Sequence, residues 1–303
     1  MSINSMNLKN LWTVILNNET IPAIWFWTWQ IEDENIILEA IKVWYRHIDT
    51  AQIYKNETIV WQAINTALSQ GILSSYDDIF LTSKIWISKF DNRTMKVNDV
   101  LNSINTSRER INQSYIDLML VHWPTYHNIE TILDAMILAK DRGIIKNIWV
   151  SNFDKIQLEE ANSYIQKKYN ETIACNQIEL NLYYENKDII SYCFENNILV
   201  SAYSPLWSKP EYHWLNSTYI WKDHKIIEIW KKYTKSPHQV VLKYLSQKWN
   251  IAILPSSKTT KYILENLDIT DFFLDQEDIE TLDNYPKNIS ILYEKYKDLI
   301  YKS

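Results

Sequence analysis

The chain has 303 residues, 46% of them hydrophobic and 22% charged, with a net charge of −6. It can bury a large core, and without a basic cluster it is not expected to bind nucleic acid. No apolar run reaches the length of a bilayer span and residues 1–10 lack an apolar core of signal-peptide length, so a cytoplasmic enzyme is expected.

Residues 11–21 hold two short apolar runs around Asn17-Asn18, a hairpin signal. A strand is expected over 24–28. Residues 33–43 place Ile36, Ile37, Ala40 and Ile41 on one side, the spacing of a helix. The alternation then repeats. Strands are expected over 46–49, 79–84, 116–122, 147–151, 174–178, 199–204 and 251–254. Helices are expected over 57–69, 94–110, 129–142, 156–169, 186–196, 223–233, 237–247 and 260–267. Gly71 and Gly143 follow two of these helices as stops, and Ser236-Pro237 supplies an N-cap and a first helical residue. One more helix is expected over 275–284, and 288–303 reads as a helical tail. Cys175 and Cys193 form neither a disulfide framework nor a metal-ligand spacing, and both are expected to pack as small buried groups.

Strands alternating with helices, with no domain-scale linker, imply a parallel α/β sheet. Eight such units fit a (β/α)8 TIM barrel over residues 22–268 of one domain spanning 1–303, with the last helix and tail over 275–303. A doubly wound open sheet is the alternative. It would want an early G-x-G-x-x-G loop, which the chain does not have.

Three consecutive strand-like runs end in residues that can move or stabilise protons. Asp49-Thr50-Ala51-Gln52-Ile53-Tyr54 follows the second strand, Lys84 ends the third and His122 ends the fourth. In a parallel barrel such C-terminal ends gather on one face. A tyrosine with a pKa near 10 is a poor acid at neutral pH, and a nearby ammonium such as Lys84 is expected to lower it. Asp49 can hold Lys84 in place, and His122 can donate a hydrogen bond to a carbonyl oxygen. Together they would make Tyr54 a general acid and stabilise a developing alkoxide. Each residue alone has a plainer reading: Lys84 a Schiff-base lysine, Asp49 a helix cap or surface ion-pair partner, His122 a core histidine. His47 is expected to pack beside the second strand, and His127, His213, His224 and His238 read as loop or surface positions. No metal site is expected.

Arg-His-Ile-Asp-Thr-Ala, Leu-Thr-Ser-Lys-Ile-Trp and Val-His-Trp-Pro around these residues resemble the aldo-keto reductases. So do Val150-Ser151-Asn152-Phe153, Asn176-Gln177-Ile178-Glu179 and Ala202-Tyr203-Ser204-Pro205-Leu206, in the same order. The resemblance runs from about Pro22 to Asp283. It implies a barrel with the hairpin at its bottom, and an NADPH-dependent reductase of aldehydes, ketones or keto-sugars with Tyr54, Asp49, Lys84 and His122 as its catalytic residues. Ser151, Asn152 and Gln177 would bind the nicotinamide carboxamide and Tyr203 would stack on its ring. Ser204, Leu206 and Ser208 would line the pyrophosphate path. Ser257, Lys258, Glu265 and Asn266 would meet the adenosine end.

There the chain departs from the family. Ser256 and Tyr262 stand where lysine and arginine would grip a 2′-phosphate, so NADH is the alternative cofactor, with Lys258 or Lys261 as compensating point charges. Trp29, Trp86 and Trp123 would form an apolar substrate wall. A monomer without membrane partners is expected. The alternative function is a catalytically weak nucleotide-binding barrel acting as a regulatory subunit, like the β-subunits of potassium channels. A lysine Schiff-base lyase using Lys84 is a third reading.

The composition is abnormal in one respect. There are 2 glycines, where average usage of about 7% would give roughly 21, and 14 tryptophans. Trp25, Trp27, Trp44, Trp61, Trp149 and Trp207 stand where the family has glycine, and Trp249 where a helix C-cap glycine is expected. An indole there brings backbone strain of about 1–3 kcal/mol where φ must be positive, and overpacking of about 1–3 kcal/mol more. The expectation is that several of these are glycine in the natural protein, since UGA is read as Trp in some genetic codes and as Gly in others. A divergent Trp-rich homologue is the alternative, and UGG codons at Trp25, Trp44 and Trp149 would establish it. The glycine deficit exceeds the tryptophan excess. The many Ile, Asn, Lys and Tyr residues point to an AT-rich coding sequence, which also disfavours GGN codons.

Overall fold

The structure, a computed structural model, describes residues 13–16, 19–87, 95–125, 128–206, 222–249, 251–285, 287 and 290. Asn17-Asn18, Trp207, Ser208, His127, His213 and the 288–303 tail apart from Ser290 lie outside the described residues. Strands β1 (Thr13–Leu16) and β2 (Glu19–Pro22) pair antiparallel, which is the expected hairpin.

Eight parallel strands follow: β3 (Phe26–Trp27), β4 (His47–Asp49), β5 (Phe80–Ile85), β6 (Ile116–Val121), β7 (Ile145–Ser151), β8 (Cys175–Glu179), β9 (Leu199–Tyr203) and β10 (Ala252–Leu254). Each pairs with the next in chain order. The two ends then join: Trp25 N donates to Ile253 O at 2.9 Å, Ile253 N to Ala23 O at 2.8 Å and Trp27 N to Pro255 O at 3.2 Å. The sheet is therefore a (β/α)8 barrel, not an open doubly wound sheet. The expected first strand shortens because its residues divide between two neighbours, with Ile24 bridging Ile253 and Phe26-Trp27 pairing with β4.

The helices are α1 (Glu34–Lys42), α2 (Glu57–Ser69), α3 (Val97–Ile111), α4 (Ile129–Asp141), α5 (Lys155–Tyr169), α6 (Lys187–Glu195), α7 (His224–Tyr233), α8 (Pro237–Trp249), α9 (Thr260–Leu267) and α10 (Gln276–Asp283). Asp33, Asp154, Asn186, Asp223 and Asp275 cap helix N-termini by accepting backbone N–H bonds, which satisfies donors that have no partner inside a helix. Ser236 and Gln239 cap α8 reciprocally. Trp249 is the last residue of α8, not a residue beyond it, so the expected C-cap position is corrected.

Strand alternation sorts the side chains. Phe26, Ile48, Leu81 and Met119 face the helices and join the outer core, whereas Trp25, Leu118, Leu120, Trp149, Cys175, Tyr203 and Leu254 fill the barrel interior. At the floor Trp25 stacks on His47 with ring centroids 3.8 Å apart and lies 5.3 Å from Trp149. His47 is thus an interior residue; it bonds Thr82 Oγ1 at 2.7 Å and is not merely packed beside its strand. His238, read as a surface position, is half-buried in α8, and burial lowers its pKa. Both cysteines are buried and free.

Left-handed backbone marks the helix ends. Gly71 and Gly143 follow α2 and α4 at φ +68°, and Asn112, Asn170 and Asn197 follow α3, α5 and α6 at φ between +51° and +57°. Asparagine tolerates this region better than other side chains. Trp44, after α1, holds φ +81°. It is a bulky residue in a conformation that favours glycine.

Candidate active site

The alternation that packs the core also aims the site. Two residues above His47 on β4, Asp49 points into the barrel; Lys84 does so from β5, Gln177 from β8 and Tyr203 from β9. Lys84 Nζ donates to Asp49 Oδ1 in a fully buried ion pair, to Thr50 O at 3.0 Å and to Tyr54 Oη at 3.3 Å. Gln177 Nε2 donates to the other Asp49 oxygen at 2.9 Å. Tyr54 rides on a one-turn 3-10 helix, Gln52–Tyr54, directly after β4. The His122 ring stands edge-on to Tyr54 at 5.7 Å and to Trp86 at 5.4 Å. All four candidate catalytic residues therefore meet at the C-terminal mouth of the barrel.

The electrostatics differ from the expectation at one point. Burial first, and then the charge of Asp49, hold the Tyr54 phenol well above its usual pKa, with the Trp27 hydrogen bond opposing. The expected lowering by Lys84 does not prevail, because removal of water and the Asp49 carboxylate disfavour the phenolate more than the neighbouring ammonium favours it. Burial also raises Asp49 and lowers Lys84, and their mutual attraction opposes both shifts. His122 lies well below the usual imidazole value, through burial and then Lys84, so it is neutral at pH 7. Its Nδ1 has no partner among the described residues.

Ser151, Asn152, Gln177 and Tyr203 form one chain of contacts. Ser151 Oγ donates to Gln177 O at 2.9 Å, Asn152 Nδ2 to Ser151 Oγ and His122 O at 3.0 Å each, and Tyr203 Oη to Asn152 Oδ1 at 2.6 Å. Asn152 and Ser204 hold φ +64° and +54° directly after β7 and β9, the kind of strained backbone that gathers at functional sites. Leu206 is half-buried at the same mouth. Ser257 and exposed Lys258 precede α9, with Glu265 and Asn266 in its last turn. Asn266 is buried. Tyr262 is 47% exposed. Trp86 is 40% exposed, Trp123 is half-buried after His122, and Trp29 stacks on Trp27 at 5.3 Å.

Besides Gln177–Asp49, two further contacts were not legible in the sequence. Gln52 bridges the loops: its Nε2 donates to Ser103 O, Ser103 Oγ and Ser107 Oγ on α3, and its Oε1 accepts from Trp86 N at 2.9 Å. It thereby fixes both the turn carrying Tyr54 and the backbone of Trp86. Trp27 Nε1 donates to Tyr54 Oη at 2.9 Å. Among the described residues no helix is long and apolar enough to cross a membrane, and no cluster of His, Cys, Asp and Glu is placed to hold a metal ion.

A buried lysine–carboxylate pair thus lies against a tyrosine at the mouth of a (β/α)8 barrel. The chain belongs to the aldo/keto reductase family, whose model matches residues 30–286. It is 30% identical over 295 residues to aldo-keto reductase family 1 member A1-A of Danio rerio, covering 89% of this chain and 88% of that one. It is likewise 30% identical to dihydrodiol dehydrogenase 3 of Bos taurus, covering 86% and 83%. Among solved structures, a silkworm aldo-keto reductase in complex with NADPH superposes with a TM-score of 0.83 at 29% identity, covering 97% of this chain and 94% of that one. An aldo/keto reductase from Brucella melitensis gives 0.77 at 32% identity, covering 89% and 97%.

Proposed function

We infer that the protein is a monomeric, cytoplasmic reductase that uses NADPH to convert small aldehydes, ketones or keto-sugars to alcohols, with Tyr54 as the general acid. The observation that carries this reading is the position of Lys84 Nζ, which touches Asp49 and lies 3.3 Å from the Tyr54 oxygen. The donor set suits the cofactor: Ser151, Asn152 and Gln177 offer amide and hydroxyl groups to a carboxamide once they exchange their internal partners, and Tyr203 would offer a ring face once Trp27 stands clear of it. Ser204, Leu206 and Ser208 take the pyrophosphate path, and Ser257, Lys258, Glu265 and Asn266 the adenosine end. When bound, the reduced nicotinamide supplies the hydride to the carbonyl carbon.

The remaining chemistry falls to side chains of this chain. Burial keeps Tyr54 protonated at neutral pH, so it is loaded to donate. As its proton passes to the carbonyl oxygen, the Lys84 ammonium meets the phenolate that forms, and Asp49 and Thr50 O hold that ammonium in place. Stabilisation aimed at developing charge is where such sites gain most. Neutral imidazole carries one N–H; with the proton on Nε2, His122 donates to the same carbonyl oxygen and orients it. Trp29, Trp86 and Trp123 exclude water from the carbonyl and fit apolar substrate groups.

Tyr54→Phe tests this reading. Its turnover is expected to fall by about 10²- to 10⁴-fold, the usual contribution of a general acid, with the chain still able to bind NADPH. Undiminished turnover would remove Tyr54 from the mechanism. A comparison of NADH with NADPH measures what Ser256 and Tyr262 cost in 2′-phosphate recognition.

A further inference from the structure

We propose that Trp27 occupies the nicotinamide seat, so that the cofactor enters only when the indole is displaced or when residue 27 is glycine. The proposal rests on the cofactor reading above, and its own support is geometric. Trp27 lies on β3, hydrogen-bonded to β4 on one side and to the segment following β10 on the other. It therefore stands between the Tyr54 turn and β9. Its Nε1 is fixed on Tyr54 Oη at 2.9 Å, and its ring centroid is 6.1 Å from that of Tyr203, tilted by 40°. A flat ring inserted between two others needs about 7 Å, twice the optimal carbon–carbon contact of about 3.5 Å. No second ring fits between Trp27 and Tyr203, so the face of Tyr203 offered to the nicotinamide is already covered.

The indole is not loosely placed. It is held at one edge by Tyr54 and on one face by Trp29, stacked at 5.3 Å and 20°. Displacing it breaks one hydrogen bond and one aromatic stack, together equivalent to about a ten- to hundredfold loss of cofactor affinity. It also blocks the approach to Tyr54: the phenol oxygen already accepts from Trp27 and Lys84, and the indole lies where a substrate carbonyl would meet the hydroxyl. Glycine at 27 removes both obstructions without touching any hydrogen bond of Asp49, Lys84 or Gln177.

The test is NADPH titration of the unsubstituted chain, Trp27→Gly, Trp27→Ala and Trp27→Phe, read by nicotinamide fluorescence, with circular dichroism confirming that each chain is folded. Trp27→Gly and Trp27→Ala are expected to bind about ten- to a hundredfold more tightly than the unsubstituted chain. Trp27→Phe, which loses the N–H but keeps a ring, is expected to stay weak. If the unsubstituted chain binds NADPH as tightly as Trp27→Gly, the proposal is overturned and the reductase reading stands. If no folded chain binds NADPH or NADH, the reductase reading fails and the proposal with it.

Discussion

Trp25, the residue before β3, and Trp27, at its end, point to the same side of the chain, one layer apart in the barrel. At the floor Trp25 is fully buried, stacked on His47, and its Nε1 donates to Pro22 O at 2.6 Å. At the mouth Trp27 bonds Tyr54 and crowds Tyr203. The floor is a packed apolar layer beneath which the hairpin lies, and an indole there competes with no ligand. The mouth must leave space for one. The same residue type is therefore absorbed as core at one height and becomes an obstruction at the next.

The largest effect expected is the loss of turnover in Tyr54→Phe, followed by the gain in NADPH affinity on Trp27→Gly. At the floor the sign reverses. Trp25→Ala should cost about 3–5 kcal/mol in denaturant unfolding, the usual range for emptying a large core site, with no gain in cofactor affinity. A stability increase there would instead mark the floor as overpacked. The buried Nε1 of Trp149, in the same layer, has no partner among the described residues.

The pH response should be acidic. His47 and His122 both sit well below their unfolded value, chiefly through burial. Their neutral forms are matched in the folded and unfolded states above about pH 6.5. Below it the unfolded chain takes up protons that the folded chain refuses, so stability is lost as pH falls. Thermal melting should shift down between about pH 7 and pH 5, and an unchanged melting temperature would contradict the burial of both rings. The smallest effect expected is at Trp44. Relieving its positive φ in Trp44→Gly should return about 1–3 kcal/mol, against about 0.5–1 kcal/mol for the lost stack with Arg46. The net is a modest gain in the denaturation midpoint.

The barrel was legible because buried parallel strands read as short apolar runs and helices as 3.6-residue spacing. The candidate site was legible because Asp49, Lys84 and His122 each stand at or just past the end of such a run, with Tyr54 in the turn that follows. Contacts between distant segments were not. Gln177 reaches Asp49 across 128 residues, and Gln52 ties Trp86 to α3 through an amide side chain that carries no motif. The direction of the Tyr54 shift was missed for the same reason: the sequence names the ammonium beside the phenol, but how much water the fold removes from that phenol is set by packing. The sequence alone treats Trp25, Trp27 and Trp44 alike. The fold separates them into a filled floor, a covered seat and a strained helix stop.

The most direct measurement is NADPH consumption with a small aldehyde panel by the Trp27→Gly chain, with and without Tyr54→Phe. Turnover is expected in the first and should vanish in the second, placing the acid at Tyr54 and the obstruction at Trp27. Equal turnover by both chains would contradict the role of Tyr54, and turnover by the unsubstituted chain matching Trp27→Gly would contradict the covered seat.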